Sequence, residues 1–171
     1  MRKRSFPLLL ALRIMPALDR IDIELLRALA DDHRATVVAL AERLQLSRNT
    51  IQARLARLDR TGAFLSYQRS LSTKALGFPI EAYVSVTVRQ HELPRIREQL
   101  AEVPEVLQAH GLAGSVDLLV RVACRDAQHL FDTDARILAI SGVERTETSL
   151  VMDEVIPYRV TPLMALAQPQ R

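Results

Sequence analysis

The stretch Leu44–Gly62, LQLSRNTIQARLARLDRTG, decides how the first part of the chain folds. Ser47 is a good helix N-cap, Ile51, Leu55 and Leu58 recur at i, i+4 and i+7, and Gly62 stands where a helix can end. The spacing predicts a helix of about four turns. With the apolar stripe turned inward, Asn49, Ala53, Ala56 and Arg60 lie opposite it, Gln52 and Arg57 beside them, and Arg48 and Arg54 on the flanks. The outer face is therefore basic and amide-bearing, with two alanines at its centre that let another surface come close. Arg, Asn and Gln are the side chains that pair bidentately with base edges. Such a face suits the major groove of DNA; a solvated basic surface is the plainer alternative.

What precedes the helix shifts the balance. Thr36 caps TVVALAERL, whose Val37, Leu40, Ala41 and Leu44 form a stripe, and only Gln45 and Leu46 separate this helix from Ser47. Two helices joined by so short a turn read as a helix-turn-helix. Such a turn commonly needs a residue with positive φ, which Gln45 would hold at a cost of about 1 kcal/mol relative to glycine. Upstream, ALDRIDIELLRALADD places Leu18, Ile21, Leu25 and Leu29 on one helical face, with Asp19 and Asp22 near its start where the helix dipole favours acids. After Gly62, AFLSYQRSLS is strand-like and predicts a wing or lead-out strand.

The second half changes period. IEAYVSVTV (Ile80–Val88) sets Ile80, Ala82, Val84, Val86 and Val88 against Glu81, Tyr83, Ser85 and Thr87, the alternation of a half-buried strand. ELPRIREQLAEVP then puts Leu93, Ile96, Leu100 and Val103 on one helical face, with Pro94 near the first turn. Strands follow in EVLQAHGLAG and SVDLLVRVACRD, a helix in AQHLFDTDARILAI and a last strand in ERTETSLVMDEVIP. The order βαββαβ is that of a ferredoxin-like domain, an antiparallel sheet with both helices on one face. Its other face would be bare, and apolar positions there would need the cover of a second subunit. STKALGFP (Ser72–Pro79) reads as the hinge between the two parts.

Composition agrees. A chain of 171 residues with 49% hydrophobic and 25% charged residues can bury one core or two small ones. The net charge of +3 hides an asymmetry: residues 1–74 hold 14 basic against 7 acidic side chains, residues 75–171 hold 9 against 13. Only the first part suits a polyanion. The single cysteine, Cys124, sits in an apolar run, which fits core packing in a reducing cytoplasm. No stretch is long enough to span a membrane. The start, MRKRSFPLLLALR, has the outline of a signal peptide, but its apolar run is only the seven residues Phe6–Leu12 and no small-x-small cleavage site follows, which argues against export. A basic arm touching DNA phosphates and a translation start at Met15 are the two readings of this extension.

Over Met15 to Pro157 the chain resembles the Lrp/AsnC regulators, also called feast/famine regulatory proteins. The resemblance rests on LDRIDIELLRAL, LSRNTIQARLARLDRTGAF, LAGSVDLLVRV (Leu112–Val122) and VERTETSLVM (Val143–Met152), in that order and spacing. It implies an α+β architecture, a winged helix-turn-helix followed by a ferredoxin-like domain of the RAM type. It also implies a sequence-specific regulator that binds double-stranded DNA, responds to a small effector, commonly an amino acid, and forms homodimers and often tetramers or octamers. No cofactor or metal is implied. The departures are Gln45, where the family usually has glycine, and Ser115-Val116, where an aromatic often precedes the aspartate.

Carried over residue by residue, the resemblance marks Ser47, Arg48, Asn49, Thr50, Gln52, Arg54 and Arg57 for DNA. By their chemistry Asn49, Gln52 and Arg57 are best placed for bases and Ser47 and Arg48 for phosphates, while Arg54 on the flank can instead tie the helix to an acid such as Asp22 or Asp59. The effector contacts it marks are Gly114, Ser115, Val116, Asp117, Thr146 and Thr148. A glycine loop offers N–H groups to a carboxylate, Asp117 can pair with an ammonium, and threonines two apart on a strand share a side; the alternative is a tight turn and ordinary strand residues. The layout predicted is an extension at 1–14, a DNA-binding domain at 15–65, a linker strand and hinge at 66–79, an effector and oligomerisation domain at 80–157 and a tail at 158–171. The four histidines, His33, His91, His110 and His129, are scattered, and no HExxH, CxxC, GxSxG or phosphate loop occurs, so no catalytic set emerges. Siroheme decarboxylases share the Lrp-like architecture and form the rival reading, with His110 as the residue to watch; a metabolite sensor without DNA binding is a third.

Overall fold

The computed structural model describes residues 18–64 and 71–167. The extension at 1–14 and most of the wing segment, residues 65–70, lie outside these. The chain divides into one unit of residues 1–69 with 156–171 and a second of residues 70–155.

In the first unit three helices are set by their caps. Helix α1 (Arg20–Asp31) starts from a reciprocal box in which Asp19 accepts the Asp22 N–H (2.9 Å) and Asp22 accepts the Asp19 N–H (3.0 Å). Helix α2 (Val37–Leu44) starts at Thr36, which accepts the Ala39 N–H, and α3 (Arg48–Arg60) at Ser47, which accepts the Thr50 N–H. Between α2 and α3, Gln45 takes φ 53°, ψ 44°, the left-handed conformation expected of the turn. Gly62 follows α3 at φ +74°, and the Ala63 N–H closes the end on the Leu58 carbonyl. Leu25, Ala28, Leu40, Ala41, Ile51 and Leu58 make the core.

One stripe differs from its expected residues. On α1 the buried set is Asp22, Ile23, Leu25 and Ala28, with Leu18 and Leu29 only partly buried and Ile21 not in the core. The helix is turned so that Asp22 points inward, toward arginines of α3. The end of the chain also departs from expectation: residues from Ile156 group with the first unit, and Thr161–Leu166 form a short helix, α6, beside α1 where a tail was expected.

The second unit is the expected βαββαβ: β1 (Ile80–Val88), α4 (Leu93–Ala101) after a 3-10 turn at Gln90–Glu92, β2 (Val106–Gly111), β3 (Leu118–Cys124), α5 (Ala127–Leu138) and β4 (Val143–Leu150). The sheet is antiparallel in the order β2-β3-β1-β4. Ala82, Val84, Val86, Leu118, Val120 and Val122 face Ile96, Leu100, Ile137 and Ile140 in its core. The buried Cys124 thiol lies against Thr133 at 3.7 Å, and burial pushes its pKa up, so it packs rather than reacts.

The face of the sheet away from α4 and α5 is less apolar than expected. Its side chains are Glu81, Tyr83, Ser85 and Thr87 of β1, in register with Leu119 and Arg121 of β3 and with Arg145, Glu147 and Ser149 of β4. Glu81 and Arg121 pair at 2.5 Å, Arg145 and Glu147 at 3.1 Å. The alternation has sent the strands' valines almost entirely to the helix side. The segment read as a hinge is likewise held to the second unit: Thr73 donates to Glu81 (2.7 Å), and Phe78 lies 6.1 Å from the His129 ring.

At the start of β2, Glu105 collects His129 of α5 (2.7 Å) and Arg136 (2.7 Å). Burial alone would raise its pKa; the bonds from Arg136 and His129 outweigh this and hold it at about 2, against an ordinary 4.5. The folded state favours the ionised carboxylate, so the contribution is complete above pH 4.5 and lost as pH falls toward 2. In acid titrations followed by hydrogen exchange across α5 and β2, Glu105→Gln should flatten the loss of protection in that window. Wild-type steepness in the variant would sink the assignment.

Candidate DNA-binding surface and effector site

On α3 the outward residues Arg48, Asn49, Gln52, Ala53, Ala56 and Arg60 are all exposed, while Ile51 and Leu58 are buried. Asn49, Thr50, Ala53, Arg54 and Arg57 line an open depression of about 530 Å³. Ser47 does more than wait for a phosphate: its hydroxyl caps the helix and lies 2.8 Å from that of Thr50.

The two inner arginines are committed to α1. Arg54 donates from one nitrogen to Asp19 (2.6 and 2.8 Å) and to Asp22 (2.9 Å), and Arg57 pairs with Asp22. Asp22 is fully buried, Arg54 is 21% exposed and Arg57 43%. The tie from Arg54 to Asp22 is the one that its flanking position suggested, with Asp19 rather than Asp59 as second acid. Arg57, read as a base contact, has one edge of its guanidinium engaged within the protein. Burial tends to raise the Asp19 pKa, but Arg54, the Asp22 N–H and Arg57 together bring it below the ordinary value; the bond to Asp19 in turn raises that of Arg54 over the opposing effect of burial. Asp22 is the residue the stripe reading missed. The signal was present, since positions 18, 22, 25 and 29 also share a helical face and one of them is an acid.

In the second unit the marked residues fall into two groups. Asp117 is 8% exposed, and its carboxylate accepts the buried Val88 N–H (2.9 Å) and the Gln90 side-chain amide (2.6 Å), while its backbone bridges Val86 and Leu112. That carboxylate fastens the β2–β3 loop to the end of β1, so the group marked as a partner for an ammonium is already engaged within the fold. Gly114 and Ser115 are exposed and Val116 half-buried. Among the described residues a Cβ on Gly114 would meet nothing within 4 Å, so the fold places no steric demand for glycine there.

Thr146 and Thr148 do share a side of β4, as alternation predicts, and it is the helix side, opposite Val86 and Val84. Both hydroxyls donate to one carboxylate, Asp134 of α5, at 3.1 and 2.8 Å. Nothing in the sequence pattern marked Asp134. Among the described residues no arginine or lysine pairs with it. His110, the residue of the decarboxylase reading, is exposed on β2. Among the described residues no group of His, Cys, Asp and Glu is arranged to hold a metal, and no helix is long and apolar enough to cross a membrane.

Comparison with known proteins gives both halves one kinship. Residues 18–59 match the AsnC-type helix-turn-helix domain, and residues 81–161 match the Lrp/AsnC ligand binding domain. The transcriptional regulator AldR of Mycolicibacterium smegmatis is 32% identical over 81% of this chain and 83% of its own. The Bkd operon transcriptional regulator of Pseudomonas aeruginosa is 30% identical over 87% of this chain and all of its own. A Neisseria meningitidis transcriptional regulator solved as a complex with L-Met superposes with TM-score 0.73 at 27% identity, over 81% of this chain and 92% of that one. These relatives and structural neighbours are regulators and not enzymes, which removes the decarboxylase reading. With both domains matched in order across most of its length, the chain belongs to the Lrp/AsnC family and is a DNA-binding transcriptional regulator with a ligand-binding domain.

Proposed function

We propose that this regulator works in the cytoplasm as a homo-oligomer whose operator affinity or assembly responds to an amino acid. The observation that carries the effector reading is the convergence of Thr146 and Thr148 on Asp134, a carboxylate that no cation pairs with among the described residues. An ammonium group fits there: it brings three donors and a positive charge, and the threonine oxygens remain acceptors. Gly114, which the fold does not require sterically, adds room for close approach at the 114–117 loop. The L-Met complex of the Neisseria regulator supports the ligand class. On the DNA side Asn49, Gln52 and Arg57 meet bases, Ser47, Arg48 and Thr50 approach phosphates, and Arg54 serves as a clamp.

The test is a thermal-shift screen of the twenty amino acids. A ligand held at a hundredfold excess over its Kd stabilises by about 2.7 kcal/mol, a shift of several degrees. At least one amino acid should raise Tm in the wild type and fail to do so in Asp134→Ala, each measured against its own unliganded Tm because the replaced carboxylate is half-buried and bonded to both threonines. If none shifts the wild type, or if Asp134→Ala responds fully, the effector reading is wrong.

A further inference from the structure

Asp22 presents an energetic puzzle. A carboxylate with no exposed surface is costly, and pairing it with arginines returns at best what was lost; an apolar side chain of similar volume would commonly stabilise as well or better. Stability alone therefore does not explain an acid at this position. Geometry does. Its two oxygens are divided between the arginines, Oδ1 accepting from Arg54 and Oδ2 from Arg57 and from the Asp19 N–H. Both arginines reach α1 through a single terminal nitrogen, that of Arg54 shared between Asp19 and Asp22. They differ in exposure: Arg54 is 21% exposed, whereas 43% of the Arg57 side chain is exposed where it borders the depression beside Asn49 and Ala53. A guanidinium has five N–H donors in a rigid fork. Holding one corner of the fork leaves another edge facing out, with the side-chain entropy of a long arginine already lost before DNA arrives.

We infer that Asp22 is a positioning residue for operator recognition: from inside the helix-turn-helix it fixes the Arg57 guanidinium so that its outer edge meets the O6/N7 edge of a guanine in the major groove. The same carboxylate offsets positive charge on the recognition face, which limits attraction to arbitrary DNA. Asp22 thus acts on specificity more than on affinity.

The experiment uses the full chain, a duplex enriched by the wild-type protein from a random-sequence pool, and a scrambled duplex of the same composition. Asp22→Asn should lower the ratio of the two affinities about tenfold, with binding to the scrambled duplex unchanged or tighter. In an Arg57→Ala background the same substitution should change the ratio less than twofold. Arg57→Lys covers the case in which Asp22→Asn fails to fold, because it keeps a positive charge beside Asp22. It should lose the ratio as fully as Arg57→Ala, since an ammonium offers no fork to be held and presented. Equal losses on both duplexes, an Asp22→Asn effect undiminished without Arg57, or a full ratio in Arg57→Lys would overturn the inference; the last of these is what a phosphate contact at Arg57 would give.

Discussion

Arg54→Met is expected to cost the helix-turn-helix unit on the order of 3 kcal/mol, the low end for breaking a buried ion pair. The value sits at the low end because Arg57 and the Asp19 N–H still reach Asp22 when Arg54 is gone. What is lost is the guanidinium that joins both α1 acids to α3, and what is left is a fully buried carboxylate with one charge partner that is itself partly in water. Hydrogen exchange over residues 20–60 reads this directly, as a fall in protection of roughly a hundredfold, while protection of the β1–β4 sheet stays as it was. Adding Asp22→Leu to Arg54→Met should recover most of the loss, because two apolar side chains then replace a pair and nothing charged remains buried. A single variant within about 0.5 kcal/mol of wild type would mean that water reaches Asp22 in solution.

The difference between what could and could not be read from the sequence follows from range. The caps at Thr36 and Ser47, the left-handed Gln45 and the stop at Gly62 are decided within a few residues, and each has a side-chain signature. The β1 alternation is equally local, and Ile80–Val88 begins and ends where the pattern does. Partners of the acids are not local. The flanking position of Arg54 did suggest Asp22, but nothing local marked Arg57 as its second partner more than thirty positions along the chain, or the Val88 N–H at the end of β1 as the partner of Asp117. A sequence shows that an acid stands in a loop or on a stripe; which donors it meets depends on how elements pack. For the same reason Thr146 and Thr148 were legible as a pair and Asp134 was not. The face of the sheet away from the helices shows a subtler limit. Alternation correctly assigns Glu81, Tyr83, Ser85 and Thr87 to it, but only strand register reveals that Arg121 and Glu147 come alongside and leave the face largely polar.

The sharpest separation of a turn from a ligand site lies at Asp117. Val88 is the last residue of β1, at the point where the pairing with β4 shifts register, and its buried N–H takes the Asp117 carboxylate as acceptor. Asp117→Ala leaves that donor unpaired, which costs about 1–3 kcal/mol, and in a unit of this size a loss of about 2 kcal/mol lowers Tm by about 10 °C. Asp117→Asn should stay within about 1 kcal/mol of wild type. Its amide oxygen still accepts from Val88, and Gln90 can turn its own amide to offer the oxygen instead of the nitrogen. Operator binding without ligand, measured well below the melting range, should be close to wild type in both variants, since neither changes the first unit. An ammonium-binding role for Asp117 makes the opposite forecast: the Asn variant would melt like wild type yet lose every amino-acid response, because the neutral amide cannot balance the charge. The fastening role requires that Asp117→Asn keep the response, and that Asp117→Ala lose it only in proportion to its lost stability.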